Sequence, residues 1–164
     1  VFPDERGFFC ETYRASELAE HGITDEFVQD NHSRSSRGVV RGLHFAVGAG
    51  TAKLVRCGRG EIVDIVVDLR RGSPTFLRWH GERLSEENGV ALLIPEGFAH
   101  GLQTLADDVD MLYCHSAAYA PAAEAGFHPR DPRLAIAWPL PIAALSPRDD
   151  AHAFVGADFD GVAP

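Results

Sequence analysis

The chain has 164 residues, the size of one domain, and with 45% hydrophobic residues, ten Phe, two Trp and three Tyr it can fill a core without a disulfide or metal. That composition excludes intrinsic disorder for the bulk of the chain. Its 15 Lys+Arg stand against 24 Asp+Glu for a net charge of -9, and no basic run is longer than Arg70-Arg71. A nucleic-acid groove or a site for an acidic membrane surface would have to be built against that field, so neither partner is expected, although a local positive pocket stays compatible with it.

Cys10, Cys57 and Cys114 form no C-x-x-C pair and read as buried thiols of a reducing compartment rather than a disulfide or zinc framework. No stretch approaches the roughly 18 apolar residues that suggest a membrane span, and Val1 leads directly into Asp4-Glu5-Arg6 with no apolar leader. The expected compartment is the cytoplasm, and 1–164 reads as a single domain.

Short β-branched runs punctuated by Gly, Pro, Asp and Asn predict an all-β protein. Near the start, Ala15 to His21 reads as a short helix, with Gly22 placed as its C-cap glycine. Val39-Val40, Lys53 to Cys57 and Glu61 to Leu69 are the clearest strands, and the turn Cys57-Gly58-Arg59-Gly60 can link the last two as antiparallel neighbours. Ile62 to Val67, broken only by Asp64, is apolar on both faces and belongs between two layers. Gly81 to Leu84, Val90 to Ile94, His100 to Leu105 and Val109 to His115 continue the series, enough for a sandwich or a barrel. Pro121 to Ala125 reads as one helical turn. From about 129 the chain becomes a turn-rich tail through Trp138-Pro139-Leu140-Pro141, whose residues after Ala153 have few anchors and are expected to fray or drape over a neighbour.

Several side chains could carry chemistry. Arg41 and His44 flank Gly42-Leu43; in a flat strand they point to opposite faces, so a shared pocket requires Gly42 to bend the backbone. His44 reads equally as a hydrogen-bonded rim histidine. Lys53 either points inward to an anionic partner or covers apolar surface with its stem. His100, in Pro95-Glu96-Gly97-Phe98-Ala99-His100-Gly101, either binds a substrate oxygen or fastens the turn, and it is counted with the substrate-binding candidates. Tyr113 and Cys114 face opposite ways in their strand, which makes Tyr113 an inward proton donor or a core aromatic. A metal site would be signalled by further His or Glu just after His44; the residue two positions on is Ala46, so a metal-free site is expected.

These stretches together resemble the dTDP-4-dehydrorhamnose 3,5-epimerase family of sugar nucleotide 3- and/or 5-epimerases. The resemblance rests on Asp4 to Glu11, Phe27 to Ser33, Arg41-Gly42-Leu43-His44, Lys53-Leu54-Val55-Arg56, Asp64 to Arg70, Pro95 to Gly101, Tyr113 and Leu145-Ser146-Pro147-Arg148-Asp149. It covers nearly the whole chain, lacking only the family's usual N-terminal strand before Val1. The resemblance implies a cupin-like jelly-roll barrel with short peripheral helices, a homodimer, no metal and no cofactor. The implied substrate is a dTDP-4-keto-6-deoxyhexose, epimerised at C3 and/or C5.

By the same resemblance His44 is the base, Lys53 stabilises the enolate, and Tyr113 is the acid on the far face. Asp149 orients His44, although counting from Tyr113 favours Asp150. Arg6 and Arg41 match the pyrophosphate positions, with Phe2, Glu11, Gln29, Asn31 and Tyr119 around the nucleotide or sugar. The chain departs from the pattern at Phe45-Ala46-Val47-Gly48-Ala49-Gly50, where the family continues with Tyr-Gln and a longer loop. It departs again at Cys114, where Lys is common, and at Gly126-Phe127-His128-Pro129, where Gly-x-x-Trp is usual. An altered sugar pocket is therefore expected, as in a deoxysugar pathway of a secondary metabolite such as an antibiotic. The alternatives from other classes are a non-catalytic sugar-nucleotide-binding jelly roll and a metal-dependent cupin oxygenase.

Overall fold

The computed structural model describes residues 1–48 and 50–163, so Ala49 of the divergent loop and the terminal Pro164 lie outside the described residues. Strands β1 (Phe2–Asp4) and β2 (Gly7–Phe9) form a separate hairpin, followed by α1 (Ala15–Glu20). Then come β3 (Gln29–Ser35), β4 (Val40–Ala46), β5 (Lys53–Arg59), β6 (Glu61–Asp68), β7 (Trp79–Ser85) and β8 (Ala91–Ile94). The series continues with β9 (Phe98–Thr104), β10 (Val109–His115), β11 (Glu124–Gly126) and the single-turn helix α2 (Pro147–Asp150). Among the described residues no helix is long and apolar enough to cross a membrane.

The strands make a four-stranded sheet, β3-β10-β5-β8, and a five-stranded sheet, β11-β4-β9-β6-β7, with antiparallel pairs throughout. Period-two alternation along β6 explains the layering. On one face Ile62 joins Leu84 and Leu102 against Val55, Cys57 and Met111 of the smaller sheet. On the other, Val63, Ile65 and Val67 pack against Phe127, Leu134 and Val155 of the C-terminal segment. The strand is apolar on both faces because it is covered on both.

Cys10 and Cys114, expected as buried thiols, are only half-buried, and the structure overturns three expectations of the fold. The jelly-roll barrel does not form: each sheet stays open, and among the described residues no ladder joins an edge of one to an edge of the other. A barrel needs continuous pairing with consistent tilt all round. Here, at the β7–β8 connection, Asn88 Oδ1 accepts from the N–H groups of Ser85 and Val90, both at 3.0 Å, while its Nδ2 donates to the Arg83 carbonyl. The side chain caps the turn, on either side of which β7 and β8 end different sheets. The turn Cys57 to Gly60 is not a hairpin either, because β5 pairs with β8 and β10 while β6 pairs with β7 and β9; the chain changes sheets there. Finally, the tail beyond Ala153 is anchored on its own chain. Val155 is buried, and Val162 exchanges hydrogen bonds with the 69–71 segment, its N–H donating to the Leu69 carbonyl at 2.8 Å and its carbonyl accepting from the Arg71 N–H at 3.0 Å. The outer apolar face of the larger sheet supplies the driving force for that docking.

Where β6 ends, the buried Asp68 carboxylate accepts from Arg70 Nε (2.9 Å) and Nη2 (2.8 Å) and from the hydroxyls of Ser73 and Thr75 (both 2.6 Å). These bonds, Arg70's foremost, outweigh burial and hold the Asp68 carboxyl far below its ordinary value. A group depressed on folding stabilises the native state above its unfolded value, near 3.9, and loses that contribution as pH falls through its folded value. Asp68→Asn is expected to cost about 2 kcal/mol at neutral pH, discounted for the partly exposed Arg70. Urea melts should show the gap to wild type shrinking as pH drops below about 4; a gap independent of pH would refute the assignment.

Candidate active site

A cleft of about 670 Å³ opens between the two sheets. Arg41 and His44 on β4 and His100 on β9 line one wall; Gln29 and Asn31 on β3, Lys53 on β5, and Tyr113 and His115 on β10 line the other. Tyr119, Glu124, Arg148 and Asp149 complete the lining.

Arg41 and His44 share the cleft because β4 is irregular between them, its register against β9 shifting there. Gly42 has φ +117°, and a Cβ on it would sit 2.6 Å from the Gly101 Cα and the His100 carbonyl oxygen, so only glycine permits the bend and the close approach.

His44 Nε2 lies 2.6 Å from Oδ1 of Asp149. The carboxylate is placed by α2: Ser146 caps the helix, its Oγ accepting from the Asp149 N–H at 3.0 Å, and Pro147 fills the first turn. Asp149 Oδ2 also accepts from the Gly42 N–H at 3.3 Å, which ties the bend in β4 to the same carboxylate. Burial opposes the charge on Asp149, but the bonds from His44, Gly42 and Ser146 prevail and hold its carboxyl below the usual value. Asp150 faces away toward His128 and Arg130.

The opposite wall is electrostatically different. Burial pushes the Lys53 ammonium down, opposed by Glu124 and Asp64. Across the β5–β10 ladder His115 is paired in register with Lys53; burial first, then Lys53 and His100, pushes it down to about 4, so the imidazole is neutral at neutral pH. Burial raises Tyr113 and keeps the phenol protonated. On the larger sheet, His100 Nε2 lies 2.8 Å from Oδ2 of Asp64, which is fully buried.

Nine of the residues singled out in the sequence thus meet at the cleft: His44, Lys53, Tyr113, Asp149, Gln29, Asn31, Arg41, His100 and Tyr119. Phe2, Arg6 and Glu11 do not. Phe2 stacks on Phe9 in the β1–β2 hairpin, Arg6 pairs with Asp4 at 2.6 Å, and Glu11 pairs with Arg14.

Besides lining residues such as His115, Glu124 and Arg148, which the sequence did not mark as site residues, two groups outside the cleft lining went unmarked. Asp64 was visible as the one charge in the apolar run Ile62 to Val67, and a buried carboxylate demands a partner. His152, whose Nε2 is 4.0 Å from Asp149 Oδ1, was signalled only by Asp149-Asp150-Ala151-His152, a spacing that returns to one face of a helical turn. His44, Asp149 and His152 bring one potential ligand atom each within 4.8 Å of the others, a cluster that a search along β4 alone does not reach.

A family model described as dTDP-4-dehydrorhamnose 3,5-epimerase matches residues 1–156. The chain is 48% identical over 161 residues to a dTDP-4-dehydrorhamnose 3,5-epimerase of Pseudomonas aeruginosa, with 98% of this chain and 89% of that protein covered. It is 45% identical over 164 residues to a dTDP-4-dehydrorhamnose 3-epimerase of Streptomyces niveus, covering 98% and 79% respectively. The fold is similar to the crystal structure of a dTDP-6-deoxy-D-glucose-3,5-epimerase from Legionella pneumophila in complex with dTDP-4-keto-L-rhamnose, with a TM-score of 0.89 and 47% identity over 93% of this chain and 82% of that one. Similarity that runs from the N-terminal hairpin through α2 takes in both walls of the cleft, and on it the chain belongs to the dTDP-4-dehydrorhamnose 3,5-epimerase family.

Proposed function

We propose that this chain epimerises a dTDP-4-keto-6-deoxyhexose at C3 and/or C5, with His44 as base and Tyr113 as acid. The observation that carries this reading is the division of labour across the cleft: an imidazole braced by Asp149 on the larger sheet faces a protonated phenol and an ammonium on the smaller one. Inversion at carbon needs a proton removed from one face and returned to the other, and two walls meet that requirement.

With Nε2–H donated to Asp149, the His44 Nδ1 lone pair is left to take the proton beside the C4 ketone, and the carboxylate stabilises the imidazolium that forms. Charge then develops on the C4 oxygen, where the Lys53 ammonium in a partly dry cleft stabilises the enolate. Tyr113 returns a proton to the far face. No oxidation state changes and no group is transferred, so the ketone supplies the acidity and no cofactor enters the balance.

Arg41, and Arg6 by resemblance, supply guanidinium donors for the pyrophosphate. Because Phe2 and Arg6 lie outside the cleft on a hairpin whose Phe2, Phe8 and Phe9 are all largely exposed, with Glu11 just after it, the reading includes a homodimer in which the hairpin reaches the partner's cleft. The free cysteines suit the cytoplasm. Arg6→Ala is expected to raise KM about tenfold with kcat within twofold, as for the loss of uniform binding. A kcat defect instead would place Arg6 in the chemistry.

The deciding measurement incubates the protein with dTDP-4-keto-6-deoxyglucose in deuterated water and follows H3 and H5 by proton NMR. Exchange at one or both carbons with new couplings supports the reading and identifies the centres inverted. Binding without exchange at either carbon overturns it for this substrate.

A further inference from the structure

We infer that His44, Asp149 and His152 form an inhibitory site for a divalent transition metal of the zinc type, which silences the base by forcing its tautomer. The inference goes beyond the reaction itself; only its inhibition arm rests on His44 acting as the base.

Two imidazole nitrogens and one carboxylate oxygen are a donor set suited to Zn²⁺ with one position left open. Around a tetrahedral ion with bonds of about 2.0–2.2 Å, neighbouring donor atoms stand roughly 3.3 to 3.5 Å apart. His44 Nε2 and Asp149 Oδ1 are 2.6 Å apart, and His152 Nε2 is 4.0 Å from that same oxygen. The His44–Asp149 pair has to open and the His152–Asp149 pair to close, each by less than about 1 Å, and the His44 and His152 nitrogens, already within 4.8 Å of each other, have to close by at most about 1.5 Å to admit the ion.

The third donor is also placed and unspent. His152 Nε2 is buried and has no hydrogen-bond partner among the described residues, an uncommon state for a buried polar atom. The ring is set edge-on to His44, with centroids 5.9 Å apart, and it occupies the space beside Gly126, where any larger residue would run into it. Asp149 is oriented independently by the Gly42 N–H and the Ser146 cap, the kind of outer support that ligating groups use. His44 and Asp149 line the cleft, so the open position faces solvent or substrate.

In the working state the single ring proton of neutral His44 sits on Nε2, donated to Asp149, and Nδ1 is free. A metal on Nε2 displaces that proton and takes the electron pair that held it, and the displaced proton resides on Nδ1, the nitrogen that would accept the substrate's proton. Zinc therefore removes the base without displacing it.

The test titrates zinc chloride into the purified full chain in a non-chelating buffer by calorimetry and measures solvent deuterium exchange into substrate across the same range. The expected result is a single zinc per chain, loss of exchange in step with occupancy, and full recovery on adding EDTA. Co²⁺ as a second probe should give the visible absorption of a low-coordinate nitrogen and oxygen site. His152→Gln, which removes the imidazole but keeps a polar side chain, is expected to weaken zinc binding by at least about 100-fold while metal-free exchange continues. Wild-type affinity in that variant, or no zinc binding by the wild-type chain, overturns the site. Stoichiometric binding that leaves exchange intact overturns the tautomer argument. Absence of exchange without zinc is a failure of the proposed reaction, and the binding arms still decide the site.

Discussion

His44→Asn is expected to lower the rate of deuterium wash-in beside the substrate ketone by about 10³-fold, with little change in KM, because a positioned general base contributes about 10² to 10⁴. His44→Gln, whose amide reaches the position of Nε2 and can donate to Asp149, is the control that separates loss of the base from loss of the carboxylate's partner. The carboxylate supplies a second test of the same lone pair. Asp149→Asn leaves the imidazole in place but offers it an amide that can donate to Nε2, which moves the ring proton to Nδ1. That variant should fall within about tenfold of His44→Asn, since either change removes the same lone pair. Near-normal exchange in Asp149→Asn would show that the 2.6 Å contact is structural and that His44 needs no orienting group.

Tyr113→Phe should uncouple two events that the wild-type protein joins. The base still removes the proton and can return a deuteron to the same face, so wash-in persists, while formation of the inverted sugar drops by about 10²-fold. Proton NMR of one reaction mixture reads both: loss of the H3 or H5 signal without new couplings is retention, and new couplings are inversion. Burial raises Tyr113 and keeps the phenol neutral, so the phenol is a donor through the neutral range. If wash-in and inversion fall together, Tyr113 is positioning substrate rather than returning the proton, and the acid must be sought elsewhere on the smaller sheet.

Much of this arrangement is legible along the chain, and the illegible parts have identifiable causes. β10 coincides with the Val109 to His115 run, and β6 with Glu61 to Leu69 to within a residue, because both are apolar enough for periodicity to declare them. β3 reads Gln-Asp-Asn-His-Ser-Arg-Ser, a string with no apolar face, yet it pairs along its whole length with β10. It is an edge strand beside the cleft, so its backbone is held by its neighbour and its side chains include Gln29 and Asn31 of the lining. The short α2 likewise has no amphipathic pattern; a serine cap and a proline define it, and its value lies in delivering Asp149.

By itself the sequence determined the β-rich character, the family and nine of the cleft residues, since those depend on local patterning and on motifs that survive in order along one chain. Tertiary structure decided the rest. It decided that the two sheets stay open rather than closing, because closure is a matter of which edges pair and no local signal records that. It also decided that Asp149 and not Asp150 meets His44, and that His152 stands beside them, because a carboxylate 105 residues away reaches β4 only after the tail has docked on the outer face of the larger sheet.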